Sequence, residues 1–215
     1  LMDTELEKIT EFTGKGGSVL FTCDYTDPVE DMPNVQTLMR SYGIIPKKGI
    51  VVASEEEPDT YYDKVRIDLI PTLQSTDMTL DLLSTGADTL LLAGSRAFET
   101  PEEADRNLDV AVLMPSGYKA YLRDLSTGDL SLSQVDGDEL GPFALALQCR
   151  RVTQEGYISR AVALGCGLSV RFNLTDFHDV LDVYRAARPG NLIGFYQVHR
   201  DGAGRTGVTP LNIAG

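Results

Sequence analysis

Three observations predict an α/β fold of three layers, a mixed and mostly parallel sheet with helices on both faces, like class I glutamine amidotransferase-like and flavodoxin-like domains. Short apolar runs alternate with helix-spaced amphipathic segments through the first half of the chain. Two of those runs, over 89–93 and 108–114, are apolar almost throughout, as strands buried on both faces are. Between 115 and 157 the text turns and alternates instead, which points to antiparallel strands joining the same sheet.

The first helix is expected over 3–13. Thr4 followed by Glu7 fits a capping box, and Leu6, Ile9 and Phe12 form one apolar stripe. Gly14, Gly16 and Gly17 stop it, and a strand over 18–23 follows. Val35, Leu38, Met39 and Tyr42 recur at helical spacing up to Gly43, the residue type that suits a helix C′ position. Strands follow over 50–53 and 65–70, separated by an acidic loop at 55–59. Asp77 can cap a helix over 78–85, ended by Gly86, and Pro101 opens a helical turn over 101–106. Residues 118–140 read as a hairpin or long loop, and 143–152 and 158–164 as two more strands. The last clear helix is expected over 176–187, while 191–198 is ambiguous between helix and strand.

With 215 residues, 42% of them apolar and 24% charged, the chain has ordinary globular composition. A chain of this size buries roughly 70% of its extended surface, enough for one core without staples. It shows no internal repeat and no low-complexity linker, so residues 1–215 read as one domain. No run approaches the ~18 apolar residues of a membrane span. A doubly wound domain opens on a strand, and this chain opens on a helix. The reading therefore expects a fragment of a longer membrane-anchored chain, with an earlier strand and flanking membrane helices outside this sequence. The alternative is a covered sheet edge at 18–23.

Charge excludes some partners. Residues 1–110 carry 22 Asp/Glu against 9 Lys/Arg, and residues 111–215 carry 10 against 10. A nucleic-acid backbone or an anionic lipid surface would be repelled by the first half and find no basic run in the second.

The candidate chemistry is sparse. Cys23 ends a strand, where an α/β fold can expose a nucleophile, and His178 with Asp179 or Asp182 could supply a base and its orienting group. Thr22 and Tyr25 flank the Cys–Asp pair, so the glycines of a nucleophile elbow are missing and a buried strand-end cysteine is the plainer reading. Gly165, Cys166 and Gly167 follow a strand and could cradle a phosphate, or serve a close helix–strand turn. Gly202, Gly204 and Gly207 match G-x-G-x-x-G without the strand–turn–helix context that gives it meaning. Glu55, Glu56, Glu57 and Asp59, like Asp136, Asp138 and Glu139, lack the spacing of a calcium loop. The three cysteines have no C-x-x-C and only His178 and His199 for company, so zinc is disfavoured and no metal or cofactor is expected.

Several segments, read in order, resemble the extracytoplasmic domain of gliding-motility-type (Gld-type) ABC transporter auxiliary components. They are the helix, Gly-Gly, strand and Asp of 5–24 (ELEKITEFTGKGGSVLFTCD), and the Tyr-Gly-Ile helix end of 38–44 (LMRSYGI) with its following Val-rich strand. The Gly-Pro-Phe strand of 141–147 (GPFALAL), the late strand of 159–167 (SRAVALGCG) and Gly190-Asn191 complete the set. The family's late tryptophan is absent, and Gln74 to Thr79 replaces its usual His-Pro-Ile-Thr segment. The resemblance implies the three-layer amidotransferase-like sheet without an established triad. It implies a non-catalytic accessory role on the extracytoplasmic face of a bacterial membrane, beside ABC permease and ATPase subunits. No Walker A sequence occurs, so any ATPase would be a separate subunit. The alternative is a thiol-dependent amidotransferase or hydrolase using Cys23 and His178.

Overall fold

A computed structural model describes residues 1–84, 90–101, 105–125, 131–166, 196–200 and 206–210. In chain order the elements are α1 (Asp3–Gly14), β1 (Val19–Thr22), α2 (Pro33–Arg40), β2 (Ile45–Pro46), β3 (Ile50–Val52), β4 (Tyr61–Tyr62) and β5 (Val65–Leu69). They continue with α3 (Leu80–Ser84), β6 (Leu92–Ala93), β7 (Phe98–Glu99), β8 (Leu108–Pro115), β9 (Tyr121–Arg123) and β10 (Glu139–Leu140). The last are β11 (Ala144–Val152), β12 (Ile158–Leu164), β13 (Tyr196–Arg200) and β14 (Thr206–Pro210). Among the described residues no helix is long and apolar enough to cross a membrane.

Local signals place α2 well. Pro33 fills its first turn, where a missing N–H costs nothing, and Val35, Leu38 and Met39 are buried as their spacing requires. Gly43 takes φ +70° just past the helix end, and Ile44 N–H reaches back to the Met39 carbonyl at 3.1 Å. In α1 the start differs from the expected capping box. Met2 N–H donates to the Glu5 carboxylate at 2.8 Å, so the pair forms two residues earlier than Thr4 and Glu7 suggested. Ile9 is buried, but Phe12 stays half-exposed with its ring laid over Gly17, where an added Cβ would sit 2.4 Å from the ring.

The main sheet is built around β11. It pairs antiparallel with β12 from Ala146 to Val152, and with β8 from Ala144 to Arg151. β1 runs parallel to β12, with Val19 opposite Ala161 and Thr22 opposite Leu164, and ends the strand path on that side. β7 and β2 extend the sheet from Ala144. Two smaller antiparallel sheets, β10–β9–β3 and β4–β5–β6, stand apart from it, and β13 pairs with β14 as a two-stranded ribbon.

The expected three-layer, mostly parallel fold is therefore wrong, and with it the amidotransferase-like and flavodoxin-like architecture. Among the described residues β1–β12 is the one parallel pairing, and every other pair is antiparallel. A parallel neighbour needs a crossover of a dozen or more residues. The connections here are too short for that: Asp63 and Lys64 alone join β4 to β5, and residues 153–157 join β11 to β12. Among the described residues α1 and α2 cover one face of the main sheet. There Ile9 of α1 and Val35, Leu38 and Met39 of α2 pack on Val19, Phe21, Leu147, Cys149, Ala161 and Ala163. The other face, with Leu145, Ala146, Val162 and Leu164, packs mainly on the smaller sheets, through Val51 and Ala53 with Leu69 and Leu92, and also meets Leu83 of α3. Among its described residues the run over 89–93 is not a doubly buried strand, since Leu92 and Ala93 pair with β5 and Leu91 and Ala93 stay only half-buried. β8 is not doubly buried either, because it borders the sheet and leaves Asp109 and Val112 exposed. The predicted helix over 176–187 lies outside the described residues.

The β4–β5 turn carries a correctable strain. Asp63 and Lys64 take φ +45° and +63°, the left-handed pair that a two-residue hairpin turn demands and that Asn-Gly meets best. Replacing both, Asp63→Asn with Lys64→Gly, should raise stability by about 0.5 kcal/mol, seen as a higher urea midpoint with an unchanged slope. A lower midpoint would show that the charged side chains, and not the backbone, hold this turn.

Candidate functional site

In sheets of the α/β kind, ligands bind beyond the carboxyl ends of parallel strands. Here that position is the end of the β1–β12 pair, where the chain leaves β1 through Cys23 into residues 24–31. Short polar side chains fold this loop on itself. Asp24 Oδ1 accepts from Thr26 N–H and Thr26 Oγ1–H, both at 3.0 Å, and Asp24 N–H donates to Asp27 Oδ2 at 2.7 Å.

The crevice is filled by Arg96, which lies between β6 and β7 and is 1% exposed. Its Nε donates to the Asp24 carbonyl at 3.2 Å. One terminal nitrogen donates to Glu30 Oε1 at 2.7 Å and to the Lys47 carbonyl at 3.2 Å, and the other to the Tyr25 and Asp27 carbonyls at 3.4 and 2.6 Å. A guanidinium has five N–H donors, so all of them are taken by the chain itself. Glu30, partly exposed at the rim, balances the buried charge. Burial pushes the neighbouring Asp27 carboxyl above the usual carboxylate range, against the opposing pull of the Asp24 N–H and the Arg96 charge.

Outside this hub an open cleft of about 180 Å³ remains, bordered by Tyr25, Asp27, Glu30, Lys48, Asp124 and Leu125. Pockets that enclose a small organic ligand run from roughly 300 Å³ upward. Lys48 and Asp124 already face each other across it at 3.4 Å. The arrangement can fix the loop and hold a few waters. It offers no donor on Arg96 to an incoming anion.

Cys23 lies 3% exposed with its Sγ 4.0 Å from Met39 Sδ, in the core beneath α2. Burial pushes its thiol up to about 12, and does the same to Cys149 and Cys166. On the order of 10⁻⁵ of such a thiol is ionised at neutral pH, far below the thiolate fraction of an activated cysteine. His178, Asp179 and Asp182, the expected partners, lie outside the described residues, as do Gly167, Gly202 and Gly204, while Gly207 sits in β14 opposite His199. Thiol-specific labelling of the native chain should therefore leave all three cysteines unmodified within minutes, and modify all three in denaturant, as read by intact mass. Rapid native labelling at Cys23 would show an accessible thiolate.

Gly165 is committed to packing. Its N–H donates to the Leu145 carbonyl at 2.8 Å, its own carbonyl accepts from Arg96 N–H, and a Cβ would fall 2.0 Å from the Arg96 carbonyl oxygen. Cys166 beside it is fully buried. The Gly165 amide is thus spent on the sheet and free for no phosphate. The acidic loops are internally paired as well. Glu55 meets Arg66 at 3.5 Å, Glu56 meets Lys119, and Glu57 accepts from Lys119 N–H at 2.9 Å. Asp138 faces Arg123 at 3.5 Å, and Glu139 meets Lys47 at 2.8 Å. Among the described residues no group of His, Cys, Asp and Glu is placed to hold a metal ion.

Sequence reasoning missed Arg96. Its signal was present: a lone cation inside the apolar stretch from Leu90 to Phe98 must either reach water or be fully hydrogen-bonded.

No protein-family model matches the chain, and no curated protein matches it. Among solved structures it is similar to the mmIFT52 N-terminal domain, with a TM-score of 0.50 and 12% identity. The match covers 77% of this chain and 60% of that one, so it spans less than two thirds of the neighbour's length. At that identity the likeness concerns the fold alone. None of these comparisons bears on transport or on amidotransferase chemistry.

Proposed function

We propose that this chain is a non-catalytic accessory domain that works by contact with other subunits, in an ABC transport system on the extracytoplasmic side of a bacterial membrane. One observation carries the non-catalytic part. The crevice beyond the β1–β12 pair is filled by Arg96, whose donors are all spent on the protein's own carbonyls and on Glu30. Enzymes leave such a position open and aim unpaired donors into it, because catalysis requires groups prepared for charge that develops only in the transition state. The buried thiol of Cys23 agrees with this reading. The transporter context is supported by the sequence resemblance described above, and its partners would be the permease and ATPase subunits of the same system.

Co-expression with the permease and ATPase subunits of any transport system encoded next to its gene tests the proposal. The expected result is a detergent-stable complex that contains this chain and is not formed with an unrelated permease. A chain that purifies alone, from a gene with no transporter neighbours, would overturn the partner assignment. Glutamine hydrolysis that disappears in Cys23→Ala would instead overturn the non-catalytic assignment.

A further inference from the structure

On the side of the main sheet away from α1 and α2, the cover ends partway along the strands. Side chains alternate along a strand, so Gln148, Arg150 and Val152 of β11 share that face, with Ile158 and Arg160 of β12 beside them. Asp77 closes the covered part, its carboxylate accepting from Gln148 Nε2–H at 2.7 Å. Beyond it Arg150 and Arg160 stand directly opposite each other across the two strands, and both are exposed. Like charges in that position repel. Neither arginine makes an ion pair or hydrogen bond among the described residues, although Asp109 is the residue opposite Arg150 on β8. Val152 and Ile158 flank them, 42% and 38% exposed. Gln148 is buried, and among the described residues its Oε1 has no donor, which costs stability while it lasts.

We propose that this open face docks an acidic amphipathic helix of a partner protein. Charge sets the sign: two guanidinium forks side by side are made to take carboxylates, each through paired N–H donors. The apolar flanks receive the apolar stripe of the helix. Strands β8, β11, β12 and β1 lie side by side across the face. At ~4.8 Å per strand they span about 14 Å, room for one helix ~10 Å wide. A small anion would need a concave site, and a sheet face is flat. Residues 111–215, with 10 Asp/Glu against 10 Lys/Arg, set no net charge against a carboxylate here. This docking is independent of the transport context proposed above.

The test is fluorescence anisotropy with the intact chain and a labelled peptide of Glu, Leu and Ala, patterned as an amphipathic helix. Saturable binding is expected, weakened about tenfold or more by Arg150→Glu with Arg160→Glu and by added salt, with no binding of the same peptide carrying Lys for Glu. Arg150→Gln with Arg160→Gln should keep or raise the urea midpoint while weakening the peptide, because it removes a repulsion along with the docking charge. Absent binding, or equal binding by the charge-reversed variant or of the Lys peptide, would overturn the proposal. So would a lower midpoint for the Gln variant, which would make the arginines structural. Inorganic phosphate bound through the same two arginines would overturn it in favour of a small-anion site, and a dimer lost in the charge-reversed variant would do so in favour of a second copy.

Discussion

Arg96→Met should be the most damaging single substitution in the described part of the chain, lowering stability by about 3–5 kcal/mol or preventing folding altogether. Methionine keeps much of the apolar stem but none of the five donors. Four backbone carbonyls, of Asp24, Tyr25, Asp27 and Lys47, then lose their partner, as does the Glu30 carboxylate. In a domain of this size, each kcal/mol moves the melting temperature by roughly 2–4 °C. A fall of roughly 6–20 °C is therefore expected by calorimetry or circular dichroism. Arg96→Lys should rescue little, because an ammonium has three donors and lacks the planar fork that reaches carbonyls on both sides. Glu30→Gln should cost less, under ~2 kcal/mol, since that side chain sits at the rim and an amide oxygen can still accept. An Arg96→Met protein that melts within 2 °C of the parent would remove the hub from the account of this fold.

Gly165→Ala should cost about 3 kcal/mol or more, at the upper end of overpacking effects. The obstacle is backbone: the new Cβ would stand 2.0 Å from the Arg96 carbonyl oxygen and 3.0 Å from that of Leu145. The Leu145 carbonyl accepts the Gly165 N–H, and the Arg96 N–H donates to the Gly165 carbonyl, so both neighbours are held close to Gly165 by their own hydrogen bonds. A side chain that swings away offers no relief, because the clash is made by the first carbon. Gly14→Ala provides the control. Nothing lies within 4 Å of its added Cβ, so it should be neutral or slightly stabilising, by a few tenths of a kcal/mol. Equal denaturation midpoints for the two variants would mean that the sheet yields at Gly165 and that the close approach carries no cost.

The two predictions mark opposite cases of legibility. Gly165 was visible in the sequence as a glycine after a strand, with a close turn as one of its two readings. Its contact with Arg96 could not be seen, because the two residues are brought together by pairing across the sheet. Arg96 was visible as a cation in an apolar run, yet its partners come from the loop after β1 and from Lys47, on elements far from it in the chain. Cys23 shows the same division. Its strand-end position was read correctly, while its burial against Met39 depends on where α2 settles.

By itself the sequence determined the pieces whose causes are local. The span of α2 followed from its 3.6-residue apolar stripe and Gly43, and the β11 and β12 strands from their apolar runs flanking the Gly156 turn. The shortness of several other strands was also written in frequent glycines and prolines. Tertiary structure alone decided strand direction, which face of the main sheet α1 and α2 cover, and the filling of the crevice. The physical reason is that an apolar run reports that a strand is buried, and says nothing of which neighbour buries it. A strand packed between parallel neighbours and one packed between two antiparallel sheets bury the same side chains, so Leu92 and Leu145 satisfy either arrangement. Direction is settled by which carbonyls and N–H groups meet, and at β1 those belong to β12, near the other end of the described core.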